Sequence, residues 1–221
     1  MKIQRIKSYA KINLALNIVG KKDNLHMIES IVAFINLYDQ ILIKEIKSKE
    51  HKVIFLGKFS KDIGKNNTIS KLLKVLEKEN LLKKKFKITV NKKIPTKAGL
   101  GGGSMNAADI LKFFSKKKIL DVSNKKLIKI SKNIGSDVFL GLNRQNSILS
   151  SKNKIKSFKN CKKIHTLVVK PNFGCSTKEI YSRVKKFNKI ELINPNKKMF
   201  DLNFLKKMSN SLESIIFSKH P

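Results

Sequence analysis

Four glycines fall within five positions at residues 99–103, and this run constrains the fold more than any other stretch. Before it, residues 86–90 alternate apolar and polar side chains, which predicts a half-buried strand. After it, apolar side chains recur with the spacing of one helix face: Ala107, Ile110, Leu111 and Phe114. Backbone N–H groups in such a loop can approach an anion closely, and the helix start favours negative charge. The run therefore predicts a phosphate-binding loop.

This loop differs from two commoner phosphate signatures. It lacks the Lys-Ser/Thr pair that closes a P-loop, and Ser104 stands where a dinucleotide fingerprint has its third glycine. The alternative is a tight connection that binds nothing. The position between a strand and a helix favours phosphate.

Length and composition limit the class of protein. A chain of 221 residues can form one large domain or two small ones that share an interface. No apolar run is long enough for a membrane helix, and the N-terminus does not resemble a signal peptide. Two cysteines make no disulfide framework, and no metal-ligand spacing appears with the four histidines. We expect a cytoplasmic chain with no membrane partner and no metal held by its own side chains.

The net charge is +34, from 49 basic and 15 acidic residues, and this invites a nucleic-acid interpretation. However, the lysines are spread along the whole chain without one concentrated stripe. Tryptophan is absent, and the phenylalanines mostly occupy core-like positions, so no stacking platform for bases is predicted. The pattern does not favour nucleic acid, although a basic surface attracts anionic substrates.

The N-terminal region, residues 2–20, is predicted to form two strand-like runs. Apolar residues alternate with others at Ile12, Leu14, Leu16 and Ile18. This period of two places Lys11 and Asn13 side by side on the opposite face. The alternative is that this face is simply solvated, as lysines usually are.

Further elements follow from periodicity and caps. Residues 38–46 are predicted to be a strand with 51–56 as its hairpin partner, and residues 66–68 cap a helix with a face at Ile69, Leu72, Leu73 and Leu76. We also expect a short helix within 124–133, a strand at 164–170, a linker at 188–198 and an amphipathic segment at 200–217. A further helix, capped by residues 176–177, is expected to carry Ile180, Val184 and Phe187 on one side. The early hairpins favour an α+β fold.

Asp137 is a carboxylate among apolar neighbours in a chain poor in acids. A buried aspartate needs partners, and a cation such as a lysine would keep it ionised. The alternative role is a helix or turn cap.

Three blocks resemble the GHMP family of small-molecule kinases: Ala-Lys-Ile-Asn-Leu at 10–14, the glycine-rich run at 95–108 and Ile-Gly-Ser-Asp-Val at 134–138. His26, the segment 170–177 and Asn-Ser-Leu-Glu at 210–213 agree with the same family. The resemblance implies a GHMP kinase fold, with a first domain like domain 2 of ribosomal protein S5 at residues 1–155. A partial ferredoxin-like α/β domain is implied at 156–221. It also implies ATP-dependent phosphorylation of the 2-hydroxyl of a cytidine diphosphate-linked methylerythritol in non-mevalonate isoprenoid synthesis.

The resemblance also assigns residues. Asp137 is expected to act as base with Lys11 beside it, and ATP is expected to bind with Mg²⁺. The residues implied to hold ATP are Asn67, Lys92, Pro95, Lys97, Ala98, Gly99, Leu100, Gly101, Gly102, Gly103 and Ser104. The residues implied to bind the substrate are Asn13, His26, Thr177 and Tyr181, with His26 and Tyr181 in the cytosine pocket. We expect a monomer or a homodimer.

The chain departs from the family pattern at several positions. Leu25 replaces an aromatic residue that stacks on cytosine, Met105 replaces a second serine, and Phe139 replaces a proline. The sequence ends at Pro221, before a third glycine-rich motif that relatives carry. Two alternatives therefore stand beside the kinase: a basic RNA-binding protein of the same fold, or a degenerate, inactive pseudo-kinase.

Overall fold

The computed structural model describes residues 2–23, 25–152, 154–175 and 177–219, which form two compact units. The first unit holds the described residues of Met1–Ala10, Ile35–Thr96 and Leu100–Arg144. The second holds those of Lys11–Phe34, Lys97–Gly99 and Gln145–Pro221. Helices and strands are mixed along the chain, which confirms the α+β prediction. The boundary between residues 155 and 156 stays a prediction.

Two long strands supply backbone to both units. β1 (Gln4–Lys22) is one continuous strand, where two runs were expected, and it pairs with β2 (Leu25–Ile46). In the first unit, β2 pairs antiparallel with β4 (Lys85–Asn91) from Gln40↔Asn91 to Ile46↔Lys85. The predicted strand at 86–90 is therefore confirmed.

β3 (Lys52–Leu56) does not form the expected hairpin with β2. It pairs parallel with β4, from Lys52↔Lys87 to Leu56↔Asn91. Parallel neighbours need a crossover connection, and α1 (Thr68–Lys78) supplies it between β3 and β4. The hairpin prediction was wrong because it assumed that strands adjacent in the sequence pair with each other, whereas β4 lies between β3 and β2 in the sheet.

Helices complete the core of the first unit. α1 and α2 (Gly102–Lys116) pack with β2 and β4, and α3 (Asn124–Ile134) and α4 (Ser136–Leu142) follow. The predicted helix faces are buried in this core: Ile69, Leu72, Leu73, Leu76, Ala107, Ile110, Leu111 and Phe114. Burial of these apolar faces, at roughly 25 cal/mol per Å², is the main force that holds the glycine loop between its strand and its helix.

In the second unit, β2 pairs antiparallel with β5 (Asn146–Leu149), and β5 with β6 (Ile155–Phe158). Short elements follow: α5 (Thr177–Ser182), a 3₁₀ turn (Lys197–Phe200), α6 (Leu202–Leu205) and α7 (Glu213–Lys219). The buried residues of the core are Ala15, Ile31, Ile148, Leu192, Met199 and Phe200.

Two expectations for the C-terminal region were wrong. Residues 164–170 form no strand, and Leu167 is 87% exposed, because no described strand offers this segment a hydrogen-bonding partner. α5 ends at Ser182, so Phe187 is not on its face. The segment 200–217, expected to be amphipathic, holds α6 and most of α7, which are separated by turns and by an isolated bridge from Asn210 to Leu16. Apolar patterning alone could not reveal which of these residues find partners.

Two further observations concern the described part of the chain. None of its helices is both long and apolar enough to cross a membrane. Residue 176, half of the predicted cap, lies outside the described residues.

Candidate active site

The glycine-rich loop turns sharply because its backbone enters the left-handed region three times. Lys97 has φ +53°, Gly99 has φ +71° and Gly101 has φ +65°. Glycine adopts this region without steric cost, whereas a lysine does so rarely. Gly101 is then the N-cap of α2. The loop thus delivers the chain directly into a helix start, as the sequence predicted.

The first turn of α2 has the properties of an anion site. No side chain caps it, and it contains no acidic residue. A Cβ at Gly102 would lie 3.0 Å from Cγ2 of Ile94 and 3.1 Å from Nζ of Lys92, so a larger residue here would require these side chains to shift. The orphan N–H groups of a helix start favour negative charge when no carboxylate neutralises them.

A second helix start lies beside the first. A Cβ built on Gly103 would lie 3.2 Å from Oγ1 of Thr68, the first residue of α1. The predicted cap is confirmed at Asn67, whose Oδ1 accepts from the backbone N–H groups of Ile69 (3.1 Å) and Ser70 (3.0 Å). Because this amide also donates to backbone carbonyls, its polar atoms are already engaged. The contact between Asn67 and a nucleotide stays a prediction.

Lys92 lies behind the loop in a buried ion pair. Its ammonium is 3% exposed and pairs with Asp39, which is fully buried. The second oxygen of Asp39 accepts from the backbone N–H groups of Lys93 and Ile94, each at 2.8 Å. Asp39 therefore fixes the chain just before the loop and holds the Lys92 ammonium near Gly102. Sequence reasoning missed Asp39, although an acid inside an apolar strand was the same signal that singled out Asp137.

Asp137 lies half-buried in the first turn of α4. The helix is held against α2 by Gly141, where a Cβ would lie 2.6 Å from the Cβ of Ala108. Met105 packs at the same point, with its Cε and Sδ 3.1 Å from that position, and is 1% exposed. Met105 is thus a core residue that packs between α2 and α4.

Lys71 fixes the turn before Asp137 and was not predicted. Its Nζ donates to the carbonyl of Ile134, the last residue of α3, at 2.8 Å. A cation at the carbonyl end of a helix is favourable because the helix dipole is negative there. α1, which begins beside the glycine loop, thereby also anchors the entry to α4.

In the second unit, the β1 face predicted to carry Lys11 and Asn13 is not solvated. Lys11 is 7% exposed, and its Nζ donates to Oδ1 of Asn13 at 2.6 Å. Nδ2 of Asn13 donates to Oγ of Ser30 at 2.7 Å, and Ser30 donates to the carbonyl of Ala15 at 2.7 Å. The structure thus brings Lys11 and Asn13 together, with Ser30 as a partner that the sequence did not suggest.

The two residues predicted for cytosine recognition also meet within the second unit. The rings of His26 and Tyr181 have centroids 5.4 Å apart and are tilted by 54°. Leu25 is 74% exposed, so it adds little to this aromatic pair. Thr177 begins α5, and its side chain lies outside the described residues.

The remaining loop residues differ in exposure. Leu100 is buried, Pro95, Ala98 and Ser104 are half-buried, and Lys97 and Gly99 are exposed. The carbonyl of Lys97 accepts from the N–H of Cys175 at 3.2 Å, which joins the loop start to the turn after residue 170. The described residues contain no cluster of His, Cys, Asp and Glu that could hold a metal ion. The contact expected between Lys11 and Asp137 stays a prediction.

Comparison with known proteins shows the family to which this chain belongs. The profile of the family described as GHMP kinases N terminal domain matches residues 67–145. A 4-diphosphocytidyl-2-C-methyl-D-erythritol kinase from Pelagibacter ubique is 55% identical over 218 residues, which cover 98% of this chain and 78% of the relative. A kinase of the same name from Clostridium beijerinckii is 34% identical over 224 residues, which cover 98% of this chain and 79% of the relative.

A solved structure supports the fold. A crystal structure of 4-(cytidine 5'-diphospho)-2C-methyl-D-erythritol kinase matches with a TM-score of 0.71 at 21% identity, covering 99% of this chain and 79% of that one. The predicted GHMP kinase fold is thereby confirmed. The chain belongs to the GHMP kinase family, in the branch of the 4-diphosphocytidyl-2-C-methyl-D-erythritol kinases.

Proposed function

We propose that this chain transfers the γ-phosphoryl group of ATP to the 2-hydroxyl of 4-diphosphocytidyl-2-C-methyl-D-erythritol. The names of the relatives support this activity and do not favour the RNA-binding alternative. The observation that carries the proposal is the uncapped, acid-free start of α2 behind a left-handed glycine turn. Phosphoryl transfer depends mainly on positioning and on charge stabilisation, and this loop supplies both for phosphates.

ATP is assigned to the loop from Pro95 to Ser104. The N–H groups at the start of α2 would bind phosphate oxygens, and the exposed Lys97 would add charge from the loop. Bound Mg²⁺ supplies neutralisation of the developing phosphate charge. The ion would be bound together with ATP, and the thioether of Met105 lies in the core and could not be an oxygen ligand for it.

The acceptor hydroxyl is assigned to Lys11, Asn13 and Asp137. The carboxylate of Asp137 accepts the hydroxyl proton as the oxygen attacks the γ-phosphorus and the bond to ADP breaks. Lys11 would lie beside Asp137 and keep it ionised, and Asn13 would bind the substrate. The hydrogen bond between Lys11 and Asn13 supports this grouping.

The cytosine is assigned to His26 and Tyr181. An imidazole can hydrogen-bond to a base edge, while a tyrosine ring offers a stacking face worth roughly 1–3 kcal/mol. Their ring contact supports one shared pocket, with Thr177 nearby in the chain. We further propose residues 1–155 as the catalytic domain and 156–221 as part of a second domain, in a cytoplasmic monomer or homodimer.

The proposal is tested by incubating the chain with ATP, Mg²⁺ and the cytidylyl substrate. ADP should form only when the substrate is present. Asp137→Asn should lower kcat by about 10²-fold or more while ATP affinity, measured by calorimetry, is retained. Asp121→Asn, at an exposed acid before α3, is the matched control and should behave as wild type. Turnover in the Asp137→Asn variant equal to wild type would refute the base assignment, and a folded wild type without turnover would support the pseudo-kinase alternative.

A further inference from the structure

Ser30 lies at the centre of a partly buried chain of hydrogen bonds that includes Lys11. Ser30 is 2% exposed and lies on β2, the strand that pairs with β1, where its Oγ contacts the amide of Asn13. Three bonds link the group: Lys11 to Asn13 at 2.6 Å, Asn13 to Ser30 at 2.7 Å and Ser30 to the Ala15 carbonyl at 2.7 Å.

The chemistry of these groups allows only one direction of donation. A lysine ammonium has no acceptor, so the amide oxygen of Asn13 must face it. The amide nitrogen of Asn13 then faces Ser30, and it can only donate. Ser30 must therefore accept from Asn13, and its own proton goes to the backbone carbonyl of Ala15.

The Ala15 carbonyl anchors the chain because it belongs to β1 itself. A backbone carbonyl cannot reorient without distortion of its strand, whereas an amide side chain can flip by 180°. The flipped amide would direct its N–H₂ group toward the Lys11 ammonium and lose both bonds. Each lost bond costs free energy, because Lys11 and Ser30 are buried and Asn13 is half-buried.

We propose that Ser30 is a positioning residue that locks the amide of Asn13, and through it the ammonium of Lys11, in the orientation used for phosphoryl transfer. This inference rests on the proposed function for its kinetic consequence. Its structural part, the locked amide, stands on the hydrogen bonds alone.

The kinetic test compares Ser30→Ala with Ser30→Thr and Ser147→Ala. Ser147 is also 2% exposed, lies on the neighbouring β5 and donates to the carbonyl of Gln145 at 2.8 Å, without a link to Lys11. It is therefore a matched buried serine. Ser30→Ala should lower kcat by about tenfold or more with little change in the KM for ATP, because the loop that binds ATP is untouched. Ser30→Thr, which keeps the hydroxyl, should restore most of kcat, and Ser147→Ala should keep it.

A second readout does not depend on activity. The side-chain N–H₂ signals of Asn13, assigned by their loss in Asn13→Ser, are followed by ¹⁵N–¹H NMR. They should shift and exchange faster with solvent in Ser30→Ala, and they should stay in place in Ser147→Ala.

The outcomes separate the two proposals. If wild type shows no substrate-dependent ADP release, the proposed function fails and the amide signals alone decide the role of Ser30. Wild-type kcat in Ser30→Ala, an equal loss in Ser147→Ala, or unmoved amide signals would overturn the inference. If Ser30→Ala does not fold, Ser30→Cys takes its place under the same criteria, since a thiol keeps the size and weakens both hydrogen bonds.

Discussion

Two buried carboxylates on β2 hold distant backbone segments in place. Asp39 accepts from the N–H groups of Lys93 and Ile94, and Glu29 accepts from those of Glu191 and Leu192 at 2.9 and 3.1 Å. Both side chains are fully buried. At Asp39, these N–H groups and the Lys92 ammonium replace the water that the carboxylate loses on burial. At Glu29 the N–H groups satisfy Oε2 only, since the buried Oε1 has no hydrogen-bond partner among the described residues.

The ion pair of Lys92 and Asp39 gives a prediction about stability. Lys92→Met leaves the Asp39 carboxylate buried without its cation, so we expect the free energy of unfolding to fall by about 3–5 kcal/mol. Urea titration measures this change. Lys84→Met breaks an ion pair with Glu45 in which Lys84 is 59% exposed, and it should cost about 1 kcal/mol or less. Equal losses of unfolding free energy in the two variants would show that burial does not determine how much an ion pair contributes to stability.

His51 gives a prediction about pH. Burial lowers its pKa from the usual 6.5, and Glu77 opposes this change only in part. Its Nδ1 accepts from the N–H of Phe86 at 2.9 Å, a bond that needs the unprotonated nitrogen. The unfolded chain takes up a proton at His51 more readily than the folded chain does. The contribution of neutral His51 to the free energy of unfolding is therefore present above about pH 6.5 and is lost as the pH falls below it.

The measurement is urea unfolding at about pH 7.5 and about pH 5.5. Wild type should lose stability at the lower pH, and His51→Gln should lose less. His165→Gln, at an exposed histidine, is the control and should follow wild type. A His51→Gln variant with the full pH dependence of wild type would show that other groups cause it.

At the scale of elements, the packing of α4 on α2 positions Asp137. A methyl group at Gly141 would lie 2.6 Å from the Cβ of Ala108, so Gly141→Ala must push the helices apart. We expect a loss of about 1–3 kcal/mol in stability, typical of overpacking, together with a fall in kcat because Asp137 moves with α4. Thermal unfolding and ADP release measure the two effects.

Gly64→Ala is the matched control for this variant. A Cβ at Gly64 would meet nothing within 4 Å, so this change should leave stability and turnover as in wild type. If Gly141→Ala behaved like Gly64→Ala, the contact between α4 and α2 would not determine the position of Asp137.

At the scale of the whole molecule, a net charge of +34 makes the folded chain repel itself. Salt screens such repulsion over distances of about 10 Å at 0.1 M ionic strength. We expect Tm to rise between low and high NaCl concentration, by about 2–4 °C for each kcal/mol recovered. An equimolar uncharged osmolyte is the control and should not reproduce the dependence on ionic strength. A Tm that falls as the NaCl concentration rises would show that repulsion among the basic residues does not dominate the effect of salt on stability.

Local chemistry made part of this protein predictable from the sequence alone. The glycine loop, the Asn67 cap, the strand at 86–90 and the face of α2 each depend on residues close together in the chain. The three family motifs, at residues 10–14, 95–108 and 134–138, then identified the fold, because each is a short run whose backbone shape and functional side chains are specified locally.

The tertiary structure decided what depends on residues distant in sequence. The parallel pairing of β3, the ion pair of Asp39 with Lys92 and the bond from Ser30 to Asn13 join segments that no local pattern connects. Packing likewise made Met105 a core residue, whereas residues 164–170 pair with no strand in the part of the chain that the structure describes. A sequence determines local backbone preference and apolar periodicity directly, whereas the partner of a buried charge or strand edge is chosen only when the whole chain packs.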